Sequence, residues 1–437
     1  MATSDSQLAN RILIGLIVGA ALGGLTLLIG AYVPSVLHYA RQLAHSLLDP
    51  LGQIFLGLLF FGVIPLVFAS LTAGVVQLGN LSALGPLAGR TFALFTANMA
   101  IGVALGLIMM NMLDPGGRLD PQTQIELIAE YGGAAQGHIE TRANQPDLDL
   151  STLVRMFMPR NLFGAFVGND RDRLGEVLPL ILFAILVGAA GTQLAQDSRT
   201  RLLMSLELIT DLMTRIVRFA LLLAPYAVPA MIFSVVVKIG FDILIALGVF
   251  VVGAIAVMAV HLFGTMSLWL KLGTGRSPVQ FFRQITPVLV TAFSTSSSNA
   301  TLPASLATAR DTLGIRPTTA GFVLPLGATM NMSGTALYEG CVVLFIAQVF
   351  GIDLTMVQQV TLLALAVMSA VAVAGIPGGS LPLIAGLLVT FGIPPEGIGI
   401  VLGADRLLDM ARTVVNVGAD LVTAAIVDES ISRSEAA

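Results

Sequence analysis

Six residues towards the C-terminal end have the types and spacing to bind a charged solute: Asp405, Asp409, Arg412, Thr413, Asn416 and Asp420, in the segment GADRLLDMARTVVNVGADLVTAAIV. Steps of four, three, four and four separate Asp405, Asp409, Arg412, Asn416 and Asp420, so a helix gathers these five on one face. A carboxylate takes an ammonium or ligates a cation. A guanidinium fork grips a carboxylate through two parallel hydrogen bonds. The same stripe also suits a structural ion-pair ladder in the core of a soluble protein, and the rest of the chain decides between the two.

The 437 residues are 56% hydrophobic and only 11% charged, with mean hydropathy +0.89, against about 25% charged in soluble domains. Asp, Glu, Lys and Arg are all missing from 12–40, 50–89, 91–113, 177–196, 243–270, 284–309, 317–338 and 354–395. A helix crosses the hydrocarbon layer in about 20 residues, so the chain reads as an all-α polytopic membrane protein. The short alternating segments of a β-barrel are missing. Ionisable groups at membrane depth are costly unless paired, hydrated or ligated, which makes the stripe a functional site by default. The first apolar run is too long for a signal-peptide core and is expected to remain as a membrane helix. The single cysteine, Cys341, excludes an intrachain disulfide and reads as a packing residue. A net charge of −4 without basic clusters points away from nucleic acid.

Hydrophobic segments lie at about 12–35, 45–78 and 86–113, then at 161–195, 203–236 and 243–271, the second of the later three broken around Pro225 and Pro229. Between the two groups, 114–159 holds seven acidic and three basic residues with Gly-Gly and Pro breaks, a solvent-exposed loop. Lys271, Arg276 and Arg283 have no acid among them, which places their loop in the cytoplasm and 114–159 outside.

Three places deny the C-terminal part a regular helix. Residues 284–309 contain AFSTSSSNATLPAS, and 364–392 contain AVAVAGIPGGSLPLIAG with Gly375, Pro377, Gly378 and Gly379. Broken backbone at membrane depth survives only where protein or a wet cavity satisfies it, so the two breaks suggest an inverted repeat around a midplane site. The apolar flanks of the serine run also permit an extramembrane loop there. Between them, Gly327, Thr329, Asn331, Ser333, Gly334 and Thr335 interrupt a hydrophobic segment with glycines and oxygen donors. A helix unwound at that point turns carbonyls towards a cation such as sodium.

SSSNATLP at 296–303, GATMNMSGTALYEG at 327–340, AGIPGG at 374–379 and DRLLDMARTVVNVGAD at 405–420 together resemble the sodium:dicarboxylate symporter family, which includes glutamate and aspartate transporters. The resemblance covers nearly the whole chain. It implies one domain over 1–430, with eight transmembrane helices, two re-entrant helical hairpins, broken helices and elevator-type movement in a homotrimer. The first three helices would occupy 12–113 and the core transport region 284–428, with hairpins at 284–311 and 356–392. The second hairpin would gate the site.

Carried over residue by residue, Asp409 would hold a substrate amino group, Arg412 the side-chain carboxylate with Thr335 beside it, and Asn416 the main carboxylate. Ser297 and Ser298 of the first hairpin, Gly379 and Ser380 of the second, and Thr413 would complete the pocket. A deep sodium site would use carbonyls of Gly327, Asn331 and Asn416 with the carboxylate of Asp420. A second would use carbonyls around Thr329 and Met332 with those of Ala370 and Ala372. The third departs from the family pattern. Its aspartate is replaced by Ser333, and its helix-three contributors fall at Phe95, Asn98 and Met99. Arg412 is the one arginine expected near the substrate, and relatives that carry neutral amino acids lack it.

The resemblance therefore implies a secondary active symporter importing acidic amino acids, aspartate or glutamate, with sodium. The missing ligands imply fewer sodium ions than the family norm, or a proton in place of one. A proton- or sodium-coupled C4-dicarboxylate symporter is the alternative, and an anion channel a third reading. Neither a nucleophile elbow for a serine enzyme nor a GxxxxGK[ST] nucleotide loop is present. The expected partners are a small acidic solute, the lipid bilayer and two further copies of the chain. The expected location is a multi-pass protein of a bacterial inner membrane.

Overall fold

The computed structural model describes residues 2–61, 63–78, 86–120, 122, 124–125, 127, 177–373 and 379–436. Most of the 114–159 loop, the first part of the 161–195 segment, and Gly375, Pro377 and Gly378 lie outside the described residues. The described structure is helical, with no strand among those residues. Helix α1 is Ala2–Tyr32, and α2 (Pro34–Leu43) passes through a π turn, Ala44–Leu48, into α3 (Asp49–Phe61). Helix α4 is Val63–Leu78, α5 Pro86–Leu113, α6 Val177–Thr192 and α7 Gln196–Ile239. Helix α8 (Asp242–Ala259) runs through a second π turn, Val260–Thr265, into α9 (Met266–Thr274). Five described spans are long and apolar enough to cross a membrane: Ile14–Tyr32, Leu87–Leu113, Asp242–Thr274, Pro317–Val349 and Pro395–Ser432.

The expected break at Pro225 and Pro229 does not occur. Helix α7 runs unbroken for 44 residues with both prolines inside it. The reason lies on α1, where Gly15 and Gly19 face Pro225 and Pro229: a Cβ on Gly19 would come 2.5 Å from the Pro229 carbonyl oxygen. Small residues at four-residue spacing let two backbones approach closely, and a packed neighbour supports a proline-containing helix. Gly23, one turn further on, meets Val236 in the same way.

The second half builds two helical hairpins and one broken helix around a central rod. Helix α10 (Pro278–Thr295) and α11 (Ser298–Asp311) form the first hairpin. It begins at Pro278, leaving only a short link after α9. Helix α12 (Pro317–Met330) ends at Asn331, and α13 (Ser333–Val349) restarts two residues later. Helices α14 (Met356–Ala372) and α15 (Leu381–Thr390) form the second pair. Helix α16, Ile398–Ala436, packs against α5, α10, α11, α12 and α13. Helix α13 is buried from end to end except at Gln348. The outer helices instead present apolar side chains to their surroundings, among them Ile14, Ile17, Leu28, Leu47 and Ile54, as lipid-facing helices do.

Candidate functional site

The serine-rich run folds as the tip of the first hairpin. Ser296 closes α10 in the left-handed region (φ 49°), which few non-glycine residues adopt. Ser297 then caps α11, its hydroxyl accepting from the Ala300 N–H at 3.2 Å. The Thr301 hydroxyl donates to the Ser297 carbonyl at 2.8 Å and lies 3.1 Å from the Thr295 hydroxyl. The run is rich in short hydroxyl side chains because a tight turn between two helices frees backbone groups that these side chains satisfy.

The polar stripe of α16 is buried along its length, from Asp405 (6% exposed) to Asp420 (4%). Arg412 Nε and Nη2 lie 2.9 and 2.8 Å from Asp409 Oδ1, and Nη1 reaches Asp405 Oδ1 at 3.4 Å. The Tyr338 hydroxyl donates to the same Asp405 oxygen at 2.9 Å, and its ring lies 4.7 Å from the guanidinium carbon. Thus α13 supplies a flat aromatic seat and α16 both carboxylates that orient the arginine. Thr413 bonds back to the Asp409 carbonyl at 2.8 Å. Asn416 binds the start of α13: its Oδ1 accepts from the Gly334 and Thr335 N–H groups at 2.7 and 3.3 Å, and its amide donates to Thr335 Oγ1 at 3.2 Å. That contact needs glycine at 334, where any Cβ would collide with the Arg412 backbone.

Several of these residues face one small cavity between α16 and the hairpin ends. Asp409, Arg412, Thr413 and Asn416 form its floor, Thr335 and Met332 one wall, and Ser296, Ser298, Val373, Gly379 and Ser380 the hairpin ends. Of the sequence-derived substrate residues, Ser297 alone does not line it. Its neighbour Ser296 does, buried and, like Ser380, with its hydroxyl unpartnered among the described residues.

The cation candidates fall at the α12–α13 break, beside the cavity. Asn331 Nδ2 donates to Asp420 Oδ1 at 2.9 Å, and Gly327 lies so close that a Cβ there would overlap the same carboxylate. The Gly327 carbonyl accepts the Asn331 N–H at 2.9 Å, and that of Met332 accepts the Ala336 N–H at 2.8 Å. Thr329 faces outward, and Ala370 is buried near the end of α14, whose last residue is Ala372. Phe95, Asn98 and Met99 are buried on α5. Only Asn98 reaches the break through a polar contact, its amide donating to Asn331 Oδ1 at 3.0 Å. The Ser333 hydroxyl is buried without a partner among the described residues. Among the described residues no three His, Cys, Asp or Glu side chains converge on one metal position.

Sequence reasoning missed two neighbours. Arg406 lies beside Asp409, its Nη1 at 3.5 Å from Oδ2, so Arg412 is not the one arginine near the site. It stands one residue off the periodic stripe, and only its length brings it there. Glu339 is fully buried beside the Ser369 hydroxyl and makes no salt bridge among the described residues.

The comparisons with known proteins agree with this architecture. The sequence model of the sodium:dicarboxylate symporter family matches residues 8–430. The chain is 31% identical over 422 residues to a proton/sodium-glutamate symport protein of Bacillus subtilis, covering 97% of this chain and 92% of the relative. It is 30% identical over 421 residues to a proton/glutamate-aspartate symporter of Escherichia coli, covering 94% and 90%. A C4-dicarboxylate transport protein of Anaeromyxobacter is 30% identical over 393 residues, covering 89% and 84%. A family match over nearly every residue, on a helical frame with five apolar spans, shows that the chain belongs to the sodium:dicarboxylate symporter family, as a multi-pass membrane transporter and not an enzyme.

Proposed function

We propose that the chain is a secondary symporter that imports acidic amino acids, aspartate or glutamate, together with sodium. The observation that carries this reading is the placing of Arg412 and Asp409 side by side in the lining of one cavity. Arg412 is a fixed, permanently charged partner for a carboxylate. Asp409 is a partner for an ammonium. An α-amino dicarboxylic acid brings both groups at once, and its second carboxylate meets the amide of Asn416 and the hydroxyls of Ser296 and Ser298.

Sodium suits the oxygen-rich break between α12 and α13. Asp420 supplies negative charge, and the carbonyls of Gly327, Asn331 and Asn416 supply neutral oxygens. The replacement of a charged ligand by Ser333, beside apolar Phe95 and Met99, supports fewer sodium ions than the family norm. Glu339 supports a proton as a second coupling ion, because it is a fully buried carboxyl group that makes no salt bridge among the described residues. The names of the two glutamate relatives, both of which include a proton, agree with that reading.

A plain C4-dicarboxylate is the second reading, supported by the Anaeromyxobacter relative's name. The test is uptake of labelled L-aspartate into liposomes holding the purified protein, with sodium and proton gradients imposed separately. Concentrative, saturable uptake driven by sodium is expected. Uptake of succinate but not of either amino acid would overturn the amino-acid assignment, and non-saturable flux that concentrates nothing would overturn symport.

A further inference from the structure

Asp409 has two oxygens with different partners. Oδ1 is taken by the Nε and Nη2 atoms of Arg412, at 2.9 and 2.8 Å. Oδ2 faces Arg406 Nη1 at 3.5 Å, a loose contact. Arg406 does not line the cavity; it stands behind Asp409 with a side chain only 11% exposed. Its Nε is buried without a hydrogen-bond partner among the described residues, so the guanidinium holds donors in reserve.

The formal charges on this part of α16 balance. Asp405 and Asp409 contribute two negative charges, Arg406 and Arg412 two positive ones. Without Arg406 the group carries one net negative charge, next to a cavity that must accept an anion. The two solute classes respond differently to that excess. An acidic amino acid brings an ammonium that answers Asp409 directly. A plain dicarboxylate brings two negative charges and nothing for Asp409.

We propose that Arg406 is the positioning residue that sets substrate class: by holding Asp409 from behind it compensates that carboxylate, so that one cavity accepts both acidic amino acids and four-carbon dicarboxylates. This rests on the acidic-substrate reading above. It assigns Arg406 no contact with the solute. Arg412 keeps Oδ1, so an arriving ammonium would compete with Arg406 for Oδ2, where the contact is only a loose 3.5 Å.

The experiment is sodium-driven uptake of labelled L-aspartate by liposomes, with succinate as competitor, for the unaltered protein, Arg406→Gln, Arg406→Lys and Arg406→Gln/Asp409→Asn. Succinate is expected to compete in the unaltered protein. Removing one charge ~8 Å from a carboxylate, at an effective dielectric of ~20, corresponds to roughly a thirtyfold loss. The succinate inhibition constant should rise by about that factor in Arg406→Gln, while the aspartate KM stays within about threefold because the ammonium still meets Asp409. Arg406→Lys should restore the ratio. The double variant removes both charges and, with Asp409, the partner for an ammonium, so it is read by uptake of labelled succinate itself, which should be retained even if Arg406→Gln folds poorly. A parallel fall of both affinities, an unchanged ratio, loss of succinate uptake in the double variant, or no succinate competition in the unaltered protein would each overturn the proposal while aspartate uptake stands. Failure of the unaltered protein to take up any acidic solute would instead overturn the function on which it rests.

Discussion

Gly327→Ala is expected to weaken sodium coupling without disturbing the fold. An ideal Cβ at 327 stands 2.5 Å from Asp420 Cγ, well inside the ~3.5 Å at which heavy atoms meet comfortably. The obstacle is the free end of a side chain, so the helices need not part. The carboxylate must turn away instead, giving up the 2.9 Å bond from Asn331, a loss of about 1.5–3 kcal/mol for a charged acceptor. Alanine returns ~0.5–1 kcal/mol of helix propensity over glycine. The net stability loss is therefore about 0.5–2.5 kcal/mol, tolerable for a folded protein. The effect on sodium is larger. Moving a carboxylate oxygen from ~2.4 to ~4 Å from a monovalent cation, at an effective dielectric of ~20, costs about 3 kcal/mol, or roughly a hundredfold in affinity. The assay is a sodium titration of aspartate uptake at fixed solute. Gly321→Ala is the control, because it lies on the same helix with nothing within 4 Å of its added methyl. A sodium midpoint in Gly327→Ala within about threefold of the control would refute the assignment of Asp420 as a cation ligand.

Three further outcomes are expected. Arg412→Ala should weaken acidic-solute binding by at least ~2 kcal/mol, about thirtyfold, and shift the sodium midpoint far less; equal loss of both, measured by titrating each separately, would mean a collapsed site. Glu339→Gln, which keeps the shape and removes the ionisable group, should abolish stimulation of uptake by an imposed proton gradient and leave sodium-driven uptake in place. Retained proton stimulation would remove Glu339 from the coupling scheme. Gly334→Ala meets the backbone of Arg412 rather than a movable side-chain end, so it should lower the melting temperature and yield in detergent far more than Gly327→Ala does.

The stripe on α16 was legible because helical periodicity is a local property and each of its members is polar in apolar surroundings. Helix α5, Pro86–Leu113, was readable to within a residue, since charges and a proline bound it. The continuity of α7 was not, because it depends on what packs against Pro225 and Pro229, and Gly15 and Gly19 stand about 210 residues earlier in the chain. Spacing also hid Arg406: it points off the stripe, and only a long side chain folding back towards residue 409 reveals it. The exchange of Ser297 for Ser296 at the cavity turned on one left-handed residue, which a run of near-identical hydroxyl side chains conceals.

Asn416 accepts the Gly334 and Thr335 N–H groups, three and four residues past Asn331, the residue that donates to Asp420. On the proposed assignment, the solute and cation groups would meet at the first turn of one helix, α13, and along a single rod, α16. Whatever factor the cation contributes to solute affinity, the solute must return to cation affinity, because the two bindings close one thermodynamic cycle. On that assignment the break at residues 331–332 does more than expose carbonyls: it would let two occupancies report on each other within one helical turn, so a variant that keeps this turn intact is expected to lose solute affinity as sodium is lowered.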